Sequence, residues 1–154
     1  MNKIRTLIID DEAPIRELIS GILENYSEHT EVCGTADGVK TGVEAIRQQN
    51  PDLVLLDVNL TDGTGFDLLR QLDEIRFSVI FITAYEKYAV KAFRFSAVDY
   101  IMKPVNIDEL LAANAPLAMV YLLKTELKEI WFAPSVREGA LRWRRWYRMA
   151  IDSQ

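Results

Sequence analysis

Leu53-Val54-Leu55-Leu56-Asp57 decides the fold: four consecutive apolar residues, then a carboxylate. A short run that is apolar on both faces fits a strand buried inside a parallel sheet, covered on each side. Two other runs share that form. Thr6–Ile9 stops at Asp10-Asp11, and Val79–Ile82 stops at Thr83. Thr30–Ala36 reads as an edge strand and Val98–Met102 as a last short one.

The stretches between these strands have helical spacing. Pro14–Tyr26 places Ile15, Leu18, Ile19 and Ile22 on one face, with proline suited to a first turn. Val39–Gln49 places Val43 and Ile46 together, punctuated by Gly38 before and Asn50-Pro51 after. Phe66–Leu72 and Tyr88–Phe95 read as short helices, and Asn106 caps one that opens at Ile107. Strand and helix thus alternate five times. The predicted class is α/β, a doubly wound five-stranded parallel sheet, whose ligand site lies at the carboxyl ends of the strands. Asp10, Asp11, Asp57, Thr83 and Lys103 all fall at such ends and are expected to converge.

Convergent carboxylates repel and are costly to bury unpaired. A hard divalent cation such as Mg²⁺ relieves this while leaving room for a phosphoryl oxygen. A carboxylate also serves as a nucleophile toward phosphorus, giving an aspartyl phosphate. Lys103 supplies a positive point charge and Thr83 a hydroxyl donor. Bland readings stand beside these. Asp10-Asp11 suits a helix cap, Thr83 a strand end, Lys103-Pro104 a turn and Tyr100 plain sheet packing. His29 and Cys33 read as structural, and Asp62-Gly63 is a turn signal.

Ile8-Ile9-Asp10-Asp11-Glu12, Leu55-Leu56-Asp57-Val58-Asn59-Leu60, Asp62-Gly63-Thr64-Gly65-Phe66, Phe81-Ile82-Thr83-Ala84 and Tyr100-Ile101-Met102-Lys103-Pro104 together resemble a response-regulator receiver domain. The resemblance spans residues 4–112 and implies a flavodoxin-like receiver fold. It implies that Asp57 takes a phosphoryl group from a sensor histidine kinase. Asp11 and Asp57 would bind Mg²⁺ with the backbone carbonyl of Asn59, and Asp10 would act through water. Thr83 and Lys103 would hold the phosphoryl group, Tyr100 would be a rotameric switch, and the Lys103–Pro104 bond would be cis. The run Thr83-Ala84-Tyr85-Glu86-Lys87-Tyr88-Ala89-Val90-Lys91-Ala92-Phe93 is similar to the LytTR subfamily. That likeness implies a transcriptional regulator, with DNA contact only through an output domain missing from this chain. A symmetric dimer through the fourth helix, fifth strand and fifth helix is the further partner implied.

One rival reading is an aspartate-nucleophile phosphatase, because Asp57-Val58-Asn59-Leu60-Thr61 is superficially similar to the Asp-x-Asp-x-Thr of haloacid dehalogenases. Asn59 replaces the second aspartate, which acts there as general acid, and the motif sits on the third strand rather than the first. The receiver reading implies no multiple-turnover activity on an external substrate.

Bulk properties agree with a signalling module. The 154 residues suffice for one domain with an appendage, and 49% apolar content argues against disorder. One cysteine forms no internal disulfide, and one histidine offers little to zinc. The apolar run at residues 6–9 is too short for a signal peptide, and no stretch approaches a membrane span, so a cytoplasmic location is expected. Residues 1–112, the expected receiver, carry 11 Lys/Arg and 19 Asp/Glu, a balance of −8; residues 113–154 carry 7 and 4, a balance of +3. An acidic body repels nucleic acid. The second segment, with Pro116 marking a break and helices read over 116–131 and 141–151, is expected to be a helical tail of unassigned role.

Overall fold

A computed structural model describes residues 3–114 of the chain. Five strands form one sheet: β1 (Ile4–Ile9), β2 (Thr30–Ala36), β3 (Leu53–Leu56), β4 (Ser78–Thr83) and β5 (Asp99–Met102). Their order is β2-β1-β3-β4-β5, and every neighbouring pair is parallel. The helices are α1 (Ala13–Tyr26), α2 (Val39–Gln49), α3 (Gly65–Arg70), α4 (Ala89–Arg94) and α5, helical over 107–114 among the described residues.

Alternation along each strand sorts the core into two layers. Ile8, Leu53, Leu55, Ile80, Ile82 and Ile101 pack with Ile19, Ile22 and Leu23 of α1 and with Leu110 and Ala113 of α5. Leu7, Ile9, Val54, Leu56, Val79, Phe81 and Tyr100 pack with residues of α2, α3 and α4. Both faces of β3 are therefore covered, as its unbroken apolar run requires.

Several boundaries differ from expectation for identifiable reasons. β1 begins two residues early because Arg5 is held by distant partners: its N–H donates to Asp52 Oδ2 at 2.9 Å, and its guanidinium to the Gln49 carbonyl at 3.0 Å. In α1 the buried stripe is Ile19, Ile22 and Leu23, while Leu18 is largely exposed. α2 runs over the expected residues and stops where Asn50 turns left-handed at φ 46°. α3 ends at Arg70, not Leu72, and the stretch read as one helix from Tyr88 splits into a 3₁₀ turn at Glu86–Tyr88 and α4. The tail helices read over 116–131 and 141–151 lie outside the described residues.

Candidate functional site

The sheet ladder continues past the strand ends and delivers the site residues in register. Asp57 N–H donates to the Ile9 carbonyl at 2.9 Å, which sets Asp57 beside Asp10. Asp10 N–H reaches the Ala36 carbonyl at 3.1 Å, and Lys103 N–H reaches the Thr83 carbonyl at 2.9 Å. Four strands thus place five of the expected residues on one rim of the sheet.

Lys103 is the hub. Its Nζ lies 2.8 Å from Asp10 Oδ2, 2.8 Å from Glu12 Oε2 and 2.9 Å from Asp57 Oδ2. Burial alone would lower the ammonium's pKa, but the close carboxylates of Asp10, Glu12 and Asp57 outweigh it and hold the pKa above its ordinary value. Burial pushes the Asp10 carboxyl up, opposed by Lys103 and by the Glu12 N–H that donates to Asp10 Oδ1 at 2.9 Å. Lysine is here a fixed cation among carboxylates, not a titrating base.

Asp10, Asp11, Glu12 and Asp57 bring one carboxylate oxygen each to within 4.8 Å of one another. Four negative groups face one ammonium, so the site keeps an excess of negative charge. Asp10 Oδ2, although close to Lys103, makes no hydrogen bond of good geometry and keeps lone pairs to offer. An all-oxygen donor set with uncompensated charge and an orphaned buried oxygen fits a hard divalent cation such as Mg²⁺.

The chain after Asp57 is built to come back close. Asn59–Leu60 pairs antiparallel with Gly63–Thr64, so Asp62-Gly63 is the turn of a small hairpin, and the Gly65 N–H closes onto the Val58 carbonyl at 2.8 Å. A Cβ at Gly65 would stand 2.5 Å from the Asp57 carbonyl oxygen, so only glycine lets α3 start there. Thr64 and Asp67 close a capping box on α3, with bonds of 2.9 and 3.1 Å. Asn59 N–H points to Asp57 Oδ1 at 3.4 Å.

Thr83 is fully buried at the end of β4, and its Oγ1 accepts from the Tyr85 N–H at 3.4 Å. Tyr100 is buried, with its ring 6.2 Å from that of Phe81 and its hydroxyl donating to the Tyr85 carbonyl. Burial pushes the phenol pKa well up, so Tyr100 stays protonated as a donor. The Lys103–Pro104 bond is cis, as the resemblance implied.

Two participants were not singled out from sequence. Glu12 occupies the N-cap position of α1 yet makes no side-chain cap; its carboxylate turns to Lys103 instead. The capping reading of Asp10-Asp11 therefore does not describe this helix start. Asp62 accepts from the N–H groups of Val39 and Lys40 at 2.6 and 3.1 Å, capping α2 from the hairpin turn. Those bonds hold its carboxyl below the usual range. Only the Asp-Asp-Glu triplet and the Asp-Gly turn hinted at either role.

Among the described residues no helix is long and apolar enough to cross a membrane. Residues 6–115 match the response regulator receiver domain family. "Sensory transduction protein LytT" of Enterococcus faecalis is 41% identical over 106 residues, covering 68% of this chain and 43% of that protein. The LytT of Bacillus subtilis is 33% identical over 109 residues, covering 70% and 45%. The chain spans less than half the length of these curated relatives. Among solved structures, the REC domain of AraT, a response regulator from Geobacillus stearothermophilus, superimposes with a TM-score of 0.72 at 26% identity, covering 80% of this chain and 98% of that one. The signal receiver domain of a putative Luxo repressor from Vibrio parahaemolyticus gives 0.70 at 26% identity, covering 83% and 98%. These relatives lend no support to the phosphatase reading.

Proposed function

The chain belongs to the response regulator receiver domain family of two-component systems, and on that premise we propose that Asp57 is its phosphoryl acceptor, loaded by a sensor histidine kinase. A single observation carries this reading: Asp57 is buried at the end of β3, 2.9 Å from Lys103 and ringed by Asp10, Asp11 and Glu12. In the transfer an Asp57 carboxylate oxygen forms a bond to phosphorus while the phosphohistidine P–N bond breaks, and the imidazole leaves with the electron pair. Asp11, Asp57 and the Asn59 carbonyl would hold Mg²⁺, with Asp10 acting through water, and the ion would supply positive charge to the transferring group. Lys103 supplies a second positive charge from the end of β5. The Thr83 hydroxyl donates to a phosphoryl oxygen, and Tyr100 follows it as the switch.

A binding and signalling role is favoured over turnover, because Asn59 stands where an aspartate-nucleophile phosphatase needs its general acid. Residues 1–112 are the receiver and 113–154 a separate tail. We place the chain in the cytoplasm, where the kinase's phosphohistidine is found, and assign a symmetric dimer to the α4-β5-α5 face. DNA contact and transcriptional control belong to a LytTR-type output domain in the parent protein.

Incubation with acetyl phosphate and Mg²⁺, read by intact mass, tests the acceptor. Wild type gains one phosphoryl mass that Asp57→Ala lacks. An equal adduct on Asp57→Ala, or none on wild type, sinks the proposal.

A further inference from the structure

An ammonium has three N–H donors: Lys103 gives one to Glu12 Oε2 at 2.8 Å and one to Asp57 Oδ2 at 2.9 Å, while Asp10 Oδ2, also 2.8 Å away, is an ion-pair partner without a hydrogen bond of good geometry. A phosphoryl oxygen arriving on Asp57 draws the ammonium toward itself, at the expense of its hold on the other carboxylates. Asp10 is poorly suited to let go. Its side chain is 2% exposed and its Oδ2 has no other partner, so release would strand a buried charge. Asp57 carries the phosphoryl group itself, and Lys103 has to remain there to meet it. Glu12 differs: its side chain is 59% exposed, and water re-solvates it at once. It also makes no capping bond to α1.

We propose that Glu12 is the exchangeable counter-ion of Lys103, a positioning residue that holds one Lys103 N–H in the resting site and competes with the phosphoryl group for the ammonium. This rests on the reading of Asp57 as acceptor and adds to it a threshold set by this chain's own side chain. An exposed ion pair is weak, so the competition is modest. Its removal tightens a phosphoryl mimic about two- to fivefold, the range that such pairs span. Glu12 also belongs to the carboxylate cluster, so the comparison has to be made with Mg²⁺ saturating for every variant.

The test is a beryllofluoride titration of the full chain at saturating Mg²⁺, followed by intrinsic fluorescence. Glu12→Gln and Glu12→Ala are each expected to bind about two- to fivefold more tightly than wild type. The gap should shrink as salt rises, because an exposed pair is screened, whereas a packing effect would not follow ionic strength. Glu12→Asp, which keeps the charge, should return affinity toward wild type. Equal or weaker binding by both neutral variants overturns the proposal, as does Glu12→Asp binding as tightly as Glu12→Gln. Absence of binding by wild type itself would instead overturn the acceptor reading on which it rests.

Discussion

The two faces of the sheet are built from different materials. Under α1 and α5 the core is aliphatic throughout, isoleucine and leucine on strand and helix alike, closed by Ala113. Under α3 and α4 aromatic rings are set among the aliphatics. Phe66 stacks at 5.0 Å on Phe81 and at 5.3 Å on Phe95, and Phe81 passes the contact to Tyr100 at 6.2 Å. The helices differ likewise: α1 has 14 residues, whereas α3 and α4 have 6 each. Helices so short hold only through what they pack on. One face thus supplies apolar burial without polar atoms. The other carries a row of rings from α3 to the Tyr100 hydroxyl on the Tyr85 carbonyl. Stability and response are assigned to opposite sides of one strand set, and local opening is expected on the aromatic side first.

The sharpest way to break that division is to delete a ring. Phe66→Ala should cost about 3–5 kcal/mol of unfolding free energy and also disturb the α4 amide spectrum. Leu55→Ala on the aliphatic face should cost about 2–5 kcal/mol and leave the α4 spectrum near wild type. Urea unfolding with amide NMR of both variants decides the matter. If Leu55→Ala shifted α4 as much as Phe66→Ala did, the faces would not be separate.

A smaller change probes the end of the row. Tyr100→Phe removes the bond to the Tyr85 carbonyl, worth about 0.5–1.5 kcal/mol, while the ring stays on Phe81. We expect beryllofluoride to bind it nearly as well as wild type, with a reduced shift of α4 amides between free and bound states. A full-sized α4 shift would show that the hydroxyl carries nothing.

The weakest effect is an acid one. The Asp62 carboxyl is held low by the Val39 N–H first and the Lys40 N–H second. A depressed folded-state pKa means its stabilisation is complete above the unfolded value, near about 4, and fades as pH falls through the folded value. Asp62→Asn should therefore be less stable than wild type at neutral pH, with the two curves converging in acid. Parallel curves down to the acid limit would remove Asp62 from that role.

The sheet and its rim were legible in the sequence because unbroken runs such as Leu53–Leu56 and Val79–Ile82 allow little else, and because polar residues follow them directly. The helix ends were less so. Tyr88 looks continuous with α4 by spacing, yet the backbone tightens into a 3₁₀ turn before Ala89, a choice of hydrogen bonding that side-chain pattern does not record. Glu12 was hidden for a different reason. In sequence it looks like the start of a helix, and its actual partner is 91 positions away. Arg5 is similar, since what extends β1 is an acceptor 47 positions on. Periodicity reports which face a residue takes; it says nothing about which distant polar atom it will meet.

The partners of Lys103 also bear on how the molecule comes together. Two of them precede it by 91 and 46 positions, and the pairing within the five-stranded sheet is parallel. Parallel pairing across such separations is slow to form. Asp10, Asp11, Glu12 and Asp57 are all synthesised before their lysine, so the first strands approach one another with like charges at the rim and no ammonium between them. Docking of β5 is then a charge-cancelling step as well as a strand-pairing one. A chain stalled before residue 103 has every carboxylate of the site and lacks the ammonium that offsets them.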